Sequence, residues 1–228
     1  MATRTRKYEQ TRRAEQQAET RLRIVEAIVA LHREVGPART TISGIAERAG
    51  VERLTVYRHF ADERAMFEAC SAHFTAQVGL PDPAAWASGT EPAARLRAAL
   101  LAFYAYYRRA EAMLVRVYRD APELPALAAV MKPWDAFVAE VRDGLLEGWG
   151  ARGAARTRLA AAMAHALAFE TWRSLAQGVS LGEEGAALGD EAAAEMMVTL
   201  ARATASGGGA ERRTPRQRGG SREGTRAR

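Results

Sequence analysis

The sequence is poor in the residues that several protein classes require. Its single cysteine, Cys70, in 228 residues rules out an intrachain disulfide framework and a zinc finger. No stretch approaches the roughly 20 consecutive apolar residues of a membrane span. Met1 to Arg23 is polar and basic, without the apolar centre of a secretory signal, so a cytoplasmic protein with no membrane partner is expected. His32, His59, His73 and His165 never pair at helical spacing, so no metal set is expected. There is no acid pair at helical spacing among the candidate cavity residues, no nucleophile–base arrangement and no Gly-rich phosphate loop. Neither catalytic residues nor a cofactor are expected. Aromatic residues are 7% of the chain, and no run alternates as a half-buried strand does.

Alanine is abundant, at 50 positions, and with few β-branched residues this composition favours helices. A first helical face begins at Leu22 and includes Val25, Ile28, Val29 and Val35, with Gly36-Pro37 as its stop. A second helix runs from Thr40 or Thr41 to Ala49-Gly50, a third from about Glu52 to Phe60, and a fourth from the N-cap candidate Asp62 to about Val78. Gly79, Pro81, Pro83, Ser88, Gly89 and Pro92 then mark a linker. Beyond it, Thr90-Glu91-Pro92 is a helix-start signal, followed by the stripe Leu96, Leu100, Phe103, Tyr104 and Tyr107. A short segment from Met113 to Tyr118, a helix from about Glu123 to Trp149 interrupted or kinked at Pro133, and helices over Ala154–Gln177 and Asp190–Ala203 complete an all-α chain. The expected organisation is a basic flexible arm (1–20), a three-helix helix-turn-helix domain within 21–78, a linker (79–92), a larger helical effector-binding and dimerisation domain (93–205), and a disordered basic tail (206–228).

The formal charge of +6 is unevenly placed. Residues 1–23 carry seven positive and three negative side chains, residues 201–228 eight and two, and residues 24–200 eighteen and twenty-two. The body is mildly acidic and the basicity lies at the two ends. The tail either adds counterion-release affinity for nucleic acid or is a neutral appendage.

The most specific segment runs from Thr40 to Phe60. Two short helices joined by a tight turn need a small residue where they approach, supplied by Ala46, and a left-handed turn residue, supplied by Gly50. Ile42, Ile45, Val51 and Val56 pin the pair together. Glu52, Arg53, Thr55, Tyr57, Arg58 and His59 remain outward on the second helix, the polar and partly cationic surface a major-groove reader needs. Arg53 or Arg58 has the fork geometry for guanine O6/N7, and the methyl of Thr55 suits a thymine methyl.

This segment resembles the TetR family of bacterial transcriptional regulators. The family's Thr-Val-Tyr-x-His-Phe stretch is matched by Thr55, Val56, Tyr57, His59 and Phe60, and the resemblance covers positions 22–74, with the remaining helices similar in layout. It implies that Thr40, Thr41, Tyr57 and His59 contact DNA phosphate and that Arg53, Thr55 and Arg58 face base edges. Where many members have Ser at the start of the recognition helix this chain has Glu52, and where many have Lys in the first turn of helix four it has Glu63. Phosphate anchoring is therefore expected to shift towards Arg12, Arg13, Arg21 and Arg23.

The resemblance also implies a homodimer on double-stranded DNA and a small-molecule effector. Phe103, Tyr104, Tyr107, Trp134, Phe137, His165, Phe169 and Trp172 are the candidate effector residues, with core filling as the alternative for each. His165, Phe169 and Trp172, at i, i+4 and i+7, are expected on one face of one helix. The last two helices, with Leu159, Met163, Leu167, Met196, Met197 and Leu200, are the candidate dimer bundle. Cys70 reads as a buried thiol in preference to a redox sensor. The expected function is a homodimeric, ligand-released repressor of a palindromic operator. The alternatives are an all-α small-molecule-binding protein or enzyme with a vestigial DNA-binding domain, and a non-specific nucleoid binder driven by the tails.

Overall fold

The computed structural model describes residues 2–176 and 187–206, and among them every regular element is a helix. The basic tail beyond Ser206 and the end of the expected helix at Gln177 lie outside the described residues. None of the described helices is long and apolar enough to cross a membrane.

Helix α1 (Ala2–Glu34) is continuous through the N-terminal stretch, whose polar composition is that of a loose arm or a frayed helical extension. Its buried face is Ile24, Val25, Ile28, Val29 and His32. Leu22 and Val35, expected on that face, are exposed. Helix α2 (Ile42–Ala49) starts where the Thr41 hydroxyl accepts from the Gly44 amide at 3.1 Å, and ends at Gly50 with φ 64° and ψ 42°. That backbone is left-handed, so glycine is the residue it favours. Helix α3 (Arg53–His59) follows, and α4 (Glu63–Val78) is capped by Asp62, whose carboxylate accepts from the Ala65 amide at 2.8 Å. Helix α1 packs on α2 and α4, and α2 packs on α3.

The linker contains a short helix, α5 (Ala84–Ala87), which buries Trp86 against α6. Helix α6 (Pro92–Asp120) is one element of 29 residues. The separate short segment expected over Met113–Tyr118 is its last turns, because Arg108 to Ala112 contain no helix breaker. Its start combines Pro92 with Glu91, whose carboxylate accepts from the Ala93 and Ala94 amides at 2.9 and 3.1 Å. A 3₁₀ turn leads to α7 (Pro125–Leu145), which is helical through Pro133 and ends four residues before Trp149.

The helix expected over Ala154–Gln177 is two helices, α8 (Gly153–Leu167) and α9 (Phe169–Ala176), separated at Ala168, where ψ is 141°. The break frees carbonyls at the end of α8, and two tyrosines of α6 serve them. Tyr104 donates to Ala166 O at 3.0 Å and Tyr107 to Leu167 O at 2.5 Å, both buried. Unsatisfied, those carbonyls would each cost on the order of 1–3 kcal/mol. Helix α10 (Asp190–Ser206) packs on α8 and α6. Asp190 at its start accepts from Trp172 Nε1 at 2.9 Å and pairs with Arg108, which fastens α9 and α6 to it.

The two halves meet where the end of α6 grips the end of α1. Arg116 donates to Glu34 O and Arg119 to Val35 O, each at 3.1 Å. Asp120, only 5% exposed, accepts from the Ala38 amide at 3.0 Å and from Arg119 at 2.6 Å. Gly36 (φ 96°) lies so close that a Cβ there would sit 2.4–2.5 Å from the Arg119 and Asp120 side chains. Asp120→Ala removes two charge-assisted bonds and strands the Ala38 amide, and is expected to lower stability by about 2 kcal/mol. Arg64→Ala breaks only the exposed pair with Glu68 and is expected to cost no more than about 0.5 kcal/mol. Urea unfolding of the two variants checks the contrast.

Candidate nucleic-acid interface and ligand cavity

Helix α3 is held by its inward residue Val56 and by Phe60 just beyond its end, both buried in the core with Ile45, Ala46 and Ala49. Its remaining surface is open. Arg53 and Arg58 are exposed, and Arg58 donates to the Thr55 hydroxyl at 3.1 Å, so those two side chains form one polar unit. Tyr57 is 53% exposed. Leu54, 65% exposed, adds an apolar side chain to the outward set expected from the sequence. Its mismatch with the inward positions Val51 and Val56 was the available signal, and an apolar side chain here suits a thymine methyl.

The candidate phosphate contacts differ in what they have to offer. The Thr41 hydroxyl accepts from Gly44 N as the cap of α2, leaving its proton free for a phosphate oxygen. The Thr40 proton is spent on Gly36 O at 2.8 Å, so this side chain must turn before it can donate outward. Half-buried His59 has its pKa lowered by desolvation, then by Arg21 and Arg58, and is neutral at pH 7. It therefore offers a ring N–H without a charge. Glu52 makes no side-chain capping bond, and Arg64 is engaged with Glu68 rather than standing in for the lysine absent at Glu63.

The extension of α1 supplies a second wall. A groove of about 700 Å³ lies between it and α3, lined by Arg13, Gln16, Gln17, Thr20 and Arg21 on one side and by Thr55, Arg58 and His59 on the other. Arg21 donates to His59 O at 3.1 Å and lies 4.3 Å over the Phe60 ring, tying α1 to the end of α3. Of the four basic residues expected to take up phosphate anchoring, Arg13 and Arg21 line this groove. Arg23 donates to the Ala49 carbonyl at the end of α2 at 3.4 Å, and Arg12 is exposed outside the groove lining.

A cavity of about 280 Å³ sits between α1 and α4 on one side and α6 and α7 on the other. Two of the candidate effector residues, Trp134 and Phe137, line it together with Phe67, Phe74, Met113 and Met131, which lie outside that candidate set. A second cleft of about 280 Å³ takes in Tyr107, Trp134 and Phe169, with Tyr118 shared between the two walls. Phe103, Tyr104 and Trp172 line neither and are fully buried. His165 is exposed and contacts the Thr171 hydroxyl at 3.2 Å. The break at Ala168 is the reason that His165, Phe169 and Trp172 do not share one helical face.

His32 and Cys70 meet at the cavity wall, with Nδ1 and Sγ 3.3 Å apart. Burial pushes the thiol up to about 12 and the imidazole down to about 4, so both are uncharged near neutrality. Among the described residues, no group of three or more His, Cys, Asp or Glu side chains is placed to hold a metal ion.

Residues 24–70 match the family model for bacterial regulatory proteins, tetR family. The fold is similar to that of a candidate TetR-family transcriptional regulator from Mesorhizobium loti (16% identity, 82% of this chain and 96% of that one, TM-score 0.55). It is also similar to a transcriptional regulator from Rhodococcus sp. RHA1 (21%, 79% and 94%, TM-score 0.53) and to the ketosteroid transcriptional regulator KstR2 of Mycobacterium tuberculosis (19%, 80% and 92%, TM-score 0.50). No curated protein matches the sequence. At these identities the structural likeness is one of fold.

The buried imidazole makes stability depend on pH. An unfolded histidine takes up its proton near pH 6.5, and folded His32 does so only near pH 4. The unfolded state therefore binds more protons between those values, and stability falls as the pH drops through that window. Between pH 6.5 and 4.5 the wild type is expected to lose about 2 kcal/mol more than His32→Leu. Urea unfolding at the two pH values measures the difference, and equal losses would remove His32 as its source.

Proposed function

The chain belongs to the TetR family of bacterial regulatory proteins through its helix-turn-helix domain, and on that premise we propose that it is a homodimeric repressor of a palindromic operator, released by a small apolar ligand. The observation that carries the DNA-reading part is the surface of α3. Val56 and Phe60 anchor that helix in the core, while Arg53, Leu54, Thr55, Tyr57 and Arg58 project from it. One short recognition helix reads only a few base pairs, so specific binding needs a second copy with half-sites about 34–36 Å apart.

In this reading Arg53, Thr55 and Arg58 meet base edges, and Thr41, Tyr57 and His59 meet phosphate, with Thr40 joining after its hydroxyl turns. The groove beside α3 lets Arg13 and Arg21 take over the phosphate role that Glu52 and Glu63 do not fill. The dimer face is formed by α8 and α10, where Met196 and Leu200 are exposed apolar side chains on the outside of a tightly packed pair. Release follows from the position of the cavity. A guest there touches α4 of the DNA-binding domain and the last turns of α6, just before the grip on α1. A guest that prefers one placement of α6 against α4 shifts the population of recognition-helix spacings.

Selection of bound sequences from a random duplex library is expected to return a palindrome, and sedimentation a dimer. Arg58→Ala is expected to relax discrimination at its base position by about 1–3 kcal/mol. Arg13→Ala is expected to weaken binding evenly across sequences and to reduce the slope of log affinity against log salt by about 1. Binding that remains equal for the selected and scrambled duplexes at matched salt would refute the repressor reading.

A further inference from the structure

The cavity between α4, α6 and α7 discriminates by what its wall contains and by what it lacks. None of its lining residues is Asp, Glu, Lys or Arg, and its one basic side chain, His32, is neutral near pH 7. A charged guest entering this wall leaves water with no opposite charge to meet it. The wall nevertheless carries hydroxyl groups, and two of them, on Tyr106 and Tyr118, are held by rigid aromatic packing.

The four tyrosines of α6 divide into two kinds. Tyr104 and Tyr107 spend their protons on the carbonyls at the end of α8. Tyr118 accepts from Trp134 Nε1 at 3.2 Å, which leaves its own proton uncommitted. The Tyr106 ring is packed against Tyr107 and Trp134, with centroids 5.6 and 5.1 Å away. Its hydroxyl has no hydrogen-bond partner among the described residues, and it is not sealed off in the protein interior. Tyr106 and Tyr118 both line the cavity.

We propose that the guest of this cavity is an uncharged, largely apolar small molecule bearing one hydrogen-bond acceptor, a ketone, ester or lactone oxygen, which accepts hydrogen bonds from Tyr106 and Tyr118. Its apolar body lies against Phe67, Phe74, Met113 and Met131. Burial holds both phenols near pKa 12, so they remain donors throughout the neutral range. The volume, about 280 Å³, is just below the range of ligand pockets, about 300 to 1,000 Å³, so the guest is compact. This inference rests on the regulator reading only for its consequence on DNA. The binding chemistry stands on the cavity alone.

Three probes with nearly the same apolar body separate the possibilities: benzylacetone, butylbenzene and phenylbutyrate. Titrations at pH 7 are followed by the intrinsic fluorescence of the protein, since Trp134 is in the wall, and by calorimetry. Benzylacetone is expected to bind about thirtyfold more tightly than butylbenzene, the worth of two net hydrogen bonds of about 1 kcal/mol each, and phenylbutyrate most weakly. In Tyr106→Phe, which leaves the Trp134–Tyr118 bond intact, the preference for benzylacetone is expected to fall to about fivefold while butylbenzene binds as before. Ser71→Trp, at an exposed position on the cavity rim, is expected to abolish binding of all three. Equal affinities for benzylacetone and butylbenzene in the wild type, tighter binding of phenylbutyrate, or no binding of any probe would each overturn the proposal. Operator selection on the same preparation is an independent measurement, so failure of the ligand chemistry and failure of the regulator reading give different results.

Discussion

The contact on which the rest of the arrangement depends is the grip of α6 on the end of α1. A helix end leaves carbonyls without intrahelical partners, and at α1 the carbonyls of Glu34 and Val35 receive Arg116 and Arg119 from a helix 82 and 84 positions away in sequence. Asp120 then holds the Ala38 amide in the loop that leads into α2. The helix-turn-helix is thus positioned from outside its own domain, by the helix that also walls the cavity. Gly36 permits this closeness, since any side chain there would meet Arg119 and Asp120. The last turns of α6 are thus bonded directly to the segment that leads into α2.

The helix-turn-helix was legible in the sequence because its constraints are local. Thr41 and Asp62 cap the helices they precede, Gly50 takes the left-handed turn, and Ile45, Ala46 and Val56 point inward, all within 22 positions. Nothing beyond near neighbours decides these choices. Leu54 escaped because periodicity on a helix of seven residues barely separates inward from outward. The helical course of residues 2–20 was ambiguous for a different reason. That stretch has no apolar face to read, and a polar helix is marked only by its propensity.

The cavity was less legible, and the aromatic residues show why. Periodicity identified Phe103, Tyr104 and Tyr107 as the buried stripe of α6, which they are. It does not distinguish residues that fill a core from residues that border an empty space, because both face inward. Here Phe103 stacks on Phe137 with centroids 6.0 Å apart and Tyr104 seals the end of α8, so neither has a free face. The α6 side of the wall comes instead from Tyr106, which lies between Tyr104 and Tyr107, and from residues about three to four turns further on, Met113 to Tyr118. Their place depends on α6 being continuous and on α4 crossing it. The break at Ala168 carried no Gly or Pro to announce it. Its support, two tyrosine hydroxyls about 60 positions earlier in the chain, is a tertiary fact.

Charge follows the same division between local and global. The excess of +6 belongs to the ends of the chain, yet the end that the structure describes is not a detached arm. It is the first part of α1 and stands across a groove from α3. That placement makes Arg13 and Arg21 part of a fixed surface, with Arg21 held by the His59 carbonyl and the Phe60 ring. A cation held in place before binding loses less side-chain freedom when it meets a phosphate than one on a disordered arm. Burial first, and the Arg21 and Arg58 charges after it, lower the pKa of His59. The basic end of the sequence therefore places positive charge beside α3 and, with burial and Arg58, disfavours a further charge on His59.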